Sequence, residues 1–129
     1  MTVEEQIEYW IKIAEYDLPV AEHLLESGYY VWCLFIGHLI LEKIIKAHYI
    51  KDTGETPPKI HDLIKLAEKT KLNLTREQTE FLLKANSYNL ETRYPDYRLS
   101  AFKVYDKNYT EENFNNIREM YIWLRSLLK

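Results

Sequence analysis

The sequence holds few of the residues that interrupt helices, with three Gly and four Pro in 129 residues. This scarcity leaves little material for a turn-rich β architecture, and no stretch alternates apolar and polar residues with the period of two that strands show. With 47% hydrophobic residues, the chain is long enough to bury a core. We therefore predict one all-α domain over residues 1–129, an up-and-down bundle of four or five helices.

Cysteine, signal-like segments and excess positive charge are also missing. The single Cys33 cannot form an intrachain disulfide, and its apolar surroundings predict a buried, unreactive thiol. The N-terminus has no apolar signal core, and charges interrupt the most apolar helix before it could span a bilayer, so we expect a cytoplasmic protein with no membrane contact. A formal charge of −3 excludes general adhesion to nucleic acid but leaves room for a local basic patch.

The most apolar stretch, residues 31–50, predicts a helix packed on several sides at the centre of the bundle. His38 and Glu42 lie four residues apart on one of its apolar stripes, so we expect them to touch and to be mostly buried. Such a pair can orient a general base or hold a metal ligand, or it can simply satisfy itself within the core. None of the four histidines has a Glu three residues before it, so we expect no metal and no cofactor.

Caps and breakers set the other predicted elements. A capping box at Thr2 opens a first helix over residues 3–26, within which Pro19 predicts a kink or a break, and Gly28 ends it. Residues 52–58 hold four breakers and predict a loop. Further helices are expected at residues 60–69, from a cap at Thr75 to about residue 90, and from a cap at Thr110 to the C-terminus, with a long loop over residues 91–109.

Within that predicted loop, two arginines alternate with two tyrosines: Arg93, Tyr94, Tyr97 and Arg98. Guanidinium groups hold phosphates and tyrosine rings stack on bases, so the pattern is typical of a nucleotide or RNA contact. An ordered loop in which tyrosines pack on the bundle and Arg93 pairs with Asp96 explains the same residues equally well.

Several stretches resemble the HEPN domain, the helical domain named for nucleotide binding in higher eukaryotes and prokaryotes. The most specific are Glu-Lys-x-x-Lys-Ala at residues 42–47, His-Asp-Leu at 61–63 and Arg-Tyr-Pro-Asp at 93–96, preceded by a fitting segment at 14–21. The resemblance covers almost the whole chain. It implies a helical bundle that forms a homodimer, with a cleft shared by both protomers.

Many members of that family are ribonucleases, often toxins neutralised by a minimal nucleotidyltransferase partner, and their site is an Arg followed four to six residues later by a His. Here the motif is absent, because His61 is the last histidine and Arg76 the first arginine. The resemblance therefore favours the fold and a nucleotide or RNA cleft, and it weakens the case for an enzyme.

We accordingly predict a domain that binds a nucleotide or RNA, or pairs with a nucleotidyltransferase in a toxin–antitoxin module. One alternative is a ribonuclease with an altered site, in which Arg93 holds the phosphate and His38 or His61 is the base. Another is a helical dimerisation module without chemistry. The candidate binding residues are His38, Glu42, His61, Arg93, Tyr94, Asp96, Tyr97 and Arg98.

Overall fold

Helices account for nearly all of the regular structure in a computed structural model of the chain. Residues 1–128 are described, except for the side chains of residues 90–92, 95, 97 and 98. The helices are α1 (Val3–Glu26), α2 (Tyr30–Thr53), α3 (Leu63–Glu68), α4 (Arg76–Arg93), α5 (Pro95–Val104) and α6 (Lys107–Ser126). The all-α prediction is confirmed, with one helix more than the five that we expected.

Helix α2 is the centre of the bundle, as its apolar sequence predicted. It packs against each of the other five helices, and 14 of its 24 residues are buried. A helix surrounded in this way has no exposed stripe, which explains why apolar residues occur on all of its sides. Over the described part of the chain, no helix is long and apolar enough to cross a membrane.

The ends of α1 follow from local sequence. The Thr2 hydroxyl accepts a hydrogen bond from the Glu5 amide, the Glu5 carboxylate accepts one from the Thr2 amide, and both distances are 3.1 Å. The chain leaves the helix through Gly28, whose φ of +83° suits a residue without Cβ. The predicted break at Pro19 is wrong, since α1 continues through it. Packing against α2 along the helix offsets the hydrogen bond that Pro19 removes.

The long loop predicted over residues 91–109 is also wrong, because most of this segment is helical. Helix α4 runs on to Arg93, and Pro95 then occupies the first turn of α5, where its missing amide hydrogen costs nothing. Helix α6 starts earlier than predicted. Its N-cap is Asp106, whose carboxylate accepts from the Tyr109 amide at 2.8 Å, and Thr110 is buried inside the helix.

Helix α3 is shorter than the predicted residues 60–69. Its N-cap is Asp62, which accepts hydrogen bonds from the amides of Ile64 and Lys65. The predicted capping box of α4 is present, with the Gln78 amide bonded to the Thr75 hydroxyl at 3.1 Å. The chain between α2 and α3 is irregular, and His61 lies at the end of it.

Gly37 is the point of closest approach between α2 and α6. A Cβ atom at this position would lie 2.5 Å from Cδ1 of Ile117, which is fully buried. We expect Gly37→Ala to lower the free energy of unfolding by roughly 1–2 kcal/mol, since overpacking outweighs the gain in helix propensity. Chemical denaturation measures this. Because Ile117→Val removes Cδ1, adding it to Gly37→Ala should recover most of the loss, and an Ala variant as stable as the parent would contradict the close approach.

Candidate functional site

Glu42 is a fully buried carboxylate with three cationic neighbours. Its Oε1 accepts a hydrogen bond from Nδ1 of His61 at 2.8 Å, and its Oε2 accepts from Nζ of Lys46 at 3.1 Å and of Lys43 at 3.2 Å. Burial by itself raises the pKa of Glu42, but the hydrogen bond from His61 and the charges of both lysines outweigh burial and bring the pKa below its usual value. Glu42 is therefore ionised at neutral pH.

His38 is fully buried, like Glu42, so the predicted burial of both is confirmed. The predicted direct pairing is wrong in detail, because Nε2 of His38 bonds to the backbone oxygen of His61 at 2.9 Å and Glu42 bonds to the side chain of the same residue. A carbonyl oxygen only accepts, so Nε2 of His38 carries the hydrogen. Its Nδ1 is buried without a partner in the described chain, and burial lowers the pKa of His38 to about 4.

His61 is held at both ends by α2, its backbone oxygen by His38 and its ring by Glu42. An ionised carboxylate only accepts hydrogen bonds, so Nδ1 of neutral His61 must carry the proton. The lone pair then sits on Nε2, which has no bond within the described chain. Because 46% of the side chain is exposed, His61 can meet a ligand.

Trp10 of α1 covers the two lysines that neutralise Glu42. The ammonium groups of Lys43 and Lys46 lie 5.4 and 5.3 Å from the centre of the Trp10 ring, within cation–π range. Only 7% of the Lys46 side chain is exposed, so this charge depends on Glu42 and on the ring for its compensation. The network therefore joins α1, α2 and the segment before α3.

His61 opens onto a surface cleft of about 270 Å³ between the start of α3 and the end of α4. The cleft is lined by His61, Asp62, Asn86, Asn89, Arg93 and Tyr94. One wall is fixed by hydrogen bonds: the Asn86 side chain accepts from the Leu63 amide at 2.8 Å and donates to the Asp62 carboxylate at 3.1 Å. The donors gathered on Asp62 offset part of its negative charge.

Arg93 ends α4 and Tyr94 is the N-cap of α5, which places both side chains on the opposite wall. The alternative in which Arg93 pairs with Asp96 is not supported, since both are exposed and no ion pair joins them. The predicted contributions of Tyr97 and Arg98 concern side chains outside the described residues.

The structure thus divides the predicted site residues into two layers. His61, Arg93 and Tyr94 share the cleft, although His61 precedes α3 and Arg93 lies at the far end of α4. His38 and Glu42 have no exposed surface, and we assign them to the support of His61. Asp96 is exposed but is not part of the cleft lining.

Sequence reasoning missed the partners of Glu42 and the amides of the cleft. Lys46 could have been found, because it lies four residues after Glu42 on the same helix. Asn86 and Asn89 carry no comparable signal, since they meet the start of α3 only through the packing of α4 on that helix. Both positions therefore required the structure.

Two other candidate chemistries receive no support. Cys33 is fully buried, as predicted, and burial raises the pKa of its thiol to about 12, which keeps it protonated. Within residues 1–128, His, Cys, Asp and Glu form no group of three or more that could hold a metal ion.

Comparison with known proteins supplies the family. The sequence model of the HEPN domain matches residues 7–127. Two solved structures share the fold: TT1696 from Thermus thermophilus, at 19% identity and a TM-score of 0.81, and ST0689, described as an archaeal HEPN homologue, at 24% and 0.74. Each match covers 95% of this chain and 98% of the other. No curated protein matches. Because the family model spans nearly the whole bundle, this chain belongs to the HEPN domain family.

Proposed function

We propose that this HEPN domain binds a nucleotide or single-stranded RNA by a phosphate group, in the cleft between α3 and the end of α4. The main support is that Arg93 and His61 line the same cleft. Arg93 forms no ion pair with the described part of the chain, so its charge is available to a ligand. The acidic character of the whole chain then confines binding to this place.

The cleft offers a nucleotide three kinds of contact. The planar guanidinium of Arg93 holds two phosphate oxygens at once, which a lysine ammonium cannot do. Nε2 of His61 accepts a hydrogen bond, and a ribose 2′-hydroxyl can donate one. The exposed ring of Tyr94 provides a face on which a base can stack.

Arg93→Ala is expected to weaken binding of a short, fluorescein-labelled single-stranded RNA by roughly tenfold to a hundredfold, the loss that follows from removing a charged hydrogen bond. Arg93→Lys should weaken binding as well, because it keeps the charge but loses the fork. Fluorescence anisotropy at several salt concentrations measures both, and the parent's affinity should fall as salt rises.

The matched control is Arg76→Ala, which removes an exposed arginine at the other end of α4. It should leave RNA affinity within error of the parent. Equal losses for the two variants would show that Arg93 contributes only net charge, and a parent that binds neither RNA nor nucleotide would leave a helical interaction module.

A ribonuclease with an altered site is the second candidate, and the contact between His61 and Glu42 favours it. A histidine that donates Nδ1–H to a carboxylate is oriented and strengthened as a base. In this scheme Nε2 of His61 removes the proton of a ribose 2′-hydroxyl while Arg93 holds the scissile phosphate. Buried His38 cannot reach a substrate, so His61 alone remains as the base.

Cleavage assays separate the two candidates. If His61 is a base, His61→Ala should abolish cleavage of RNA by the purified protein while RNA affinity changes far less. Intact RNA after prolonged incubation with the parent would exclude the ribonuclease and leave binding as the function.

A homodimer formed through α5 is the partner that the exposed residues best support. Helix α5 buries Ala101 but exposes Leu99, Phe102 and Val104, and Leu83 of α4 is exposed as well. We expect the parent to sediment at twice the chain mass of 15.6 kDa, and Phe102→Glu to sediment as a monomer. Ile122→Glu on α6, equally exposed in the parent, should remain dimeric. A monomeric parent at micromolar concentration would contradict the dimer.

A minimal nucleotidyltransferase in the cytoplasm is the second partner in the proposal, as part of a toxin–antitoxin module. The support is family membership alone. Affinity purification of the tagged protein from its native host, followed by mass spectrometry and analysis of bound nucleotides, tests both. Recovery of no nucleotidyltransferase would remove this partner and leave the cleft proposal intact.

A further inference from the structure

We propose that His38 is a positioning residue for the cleft, fixing the backbone of His61 so that the imidazole of His61 meets the ligand in one orientation. The inference rests on the proposed function of the cleft. His38 itself touches no ligand, because it is completely buried.

His61 needs such support because no helix fixes its main chain. It lies in the irregular segment between α2 and α3, and α3 begins only at Leu63. The bond from His38 Nε2 to the His61 oxygen ties this segment to the central helix, which is the most enclosed element of the fold. Glu42, one turn further along the same helix, then sets the angle of the ring.

Burial of His38 is not explained by stability alone. Its Nδ1 has no hydrogen-bond partner in the described chain, and an unpaired buried acceptor opposes folding. An apolar side chain of similar size would avoid this penalty. What only a donor at this place provides is control over the position of residue 61, which the cleft requires.

The same helix contains a matched comparison. His48 is also buried, and its Nε2 bonds to a backbone oxygen, that of Leu124, at 2.8 Å. Its bond anchors α6, and His48 is not among the residues lining the cleft of Arg93. Variants at His38 and His48 therefore remove the same chemistry from the same helix, but only one of them bears on His61.

The test compares His38→Leu, His38→Gln and His48→Leu, each verified as folded by circular dichroism. Gln can place an amide donor near the position of Nε2, so it serves as the conservative rescue. We expect His38→Leu to weaken binding of the labelled RNA by about tenfold, His38→Gln by much less, and His48→Leu not at all. Nitrogen-15 spectra of the His61 ring should show the Nδ1–H tautomer in the parent and in His48→Leu, and a mixture of tautomers in His38→Leu.

Unchanged RNA affinity and an unchanged His61 tautomer in His38→Leu would overturn the positioning role, as would equal losses in His48→Leu. The two proposals fail separately. If the parent binds no RNA or nucleotide, the proposed function fails, and the ring spectra still decide whether His38 positions His61.

Discussion

Replacing Glu42 with alanine is expected to lower the free energy of unfolding by about 3–5 kcal/mol, the usual cost of removing one partner of a buried ion pair. The substitution leaves the Lys46 ammonium with 7% of its side chain exposed and no carboxylate beside it. It also frees the ring of His61 from its 2.8 Å hydrogen bond. Thermal denaturation should show a melting temperature lower by roughly 10 °C or more.

Two variants make this result specific. Glu42→Gln keeps the size of the side chain but not its charge, and it should be destabilised less than Glu42→Ala. Glu80→Ala breaks an exposed ion pair with Arg76, whose contribution is at most about 1 kcal/mol, so its melting temperature should stay close to that of the parent. A Glu42→Ala protein that melts with the parent would show that the buried carboxylate does not stabilise the fold.

The second large effect is a loss of stability in mild acid caused by His38. Its ring has a pKa of about 4 in the folded chain and an ordinary value of 6.5 in the unfolded chain. Between these values the unfolded state binds a proton that the folded state excludes, so stability falls as the pH drops through 6.5 and continues to fall until about 4. The full effect corresponds to about 3 kcal/mol.

Urea denaturation between about pH 7 and the ordinary Glu pKa of 4.5 measures this effect before most carboxylates titrate. His38→Gln removes the titrating ring, so its stability should vary less steeply with pH than that of the parent. Burial lowers the pKa of His48 also, and His48→Gln should flatten the profile in the same direction. Exposed His23 supplies the control, since His23→Gln should keep the slope of the parent. Identical slopes in all four proteins would contradict neutral burial of His38.

Local sequence was enough to predict the elements whose ends depend on short-range bonds. The start of α1 follows from a capping box at Thr2 and Glu5, and its end follows from Gly28. The central place of α2 follows from the lack of any polar face. These features require no knowledge of tertiary packing.

The segment from residue 91 to 109 shows the limit of such reasoning. Pro95 acts as a breaker in the middle of a helix but as a good first residue, and sequence alone does not decide which role applies. Asp106 likewise caps α6 where Thr110 was an equally plausible cap. Burial of Ala101 and Tyr105 against the bundle supports the helical choice, and this burial is a tertiary effect.

The candidate site was predicted in its residues but not in its connections. His38 and Glu42 were expected to pair because four positions separate them, yet each bonds to His61, 23 and 19 positions away. Bonds over such distances depend on how the irregular segment before α3 lies across α2. The meeting of His61 and Arg93 has the same origin, so neither could be derived from spacing.

A titration of the nitrogen-15 labelled protein with adenosine monophosphate and with a short RNA tests the central claim most directly, because it locates the ligand without any substitution. The cleft predicts that the largest chemical-shift changes occur at His61, Asp62, Asn86 and Arg93, and that they weaken with added salt. Residues of the separate groove between α4 and α6, such as Phe81 and Trp123, should hardly move. Shifts centred on that groove, or no shifts at millimolar ligand, would contradict a phosphate-binding cleft at His61 and Arg93.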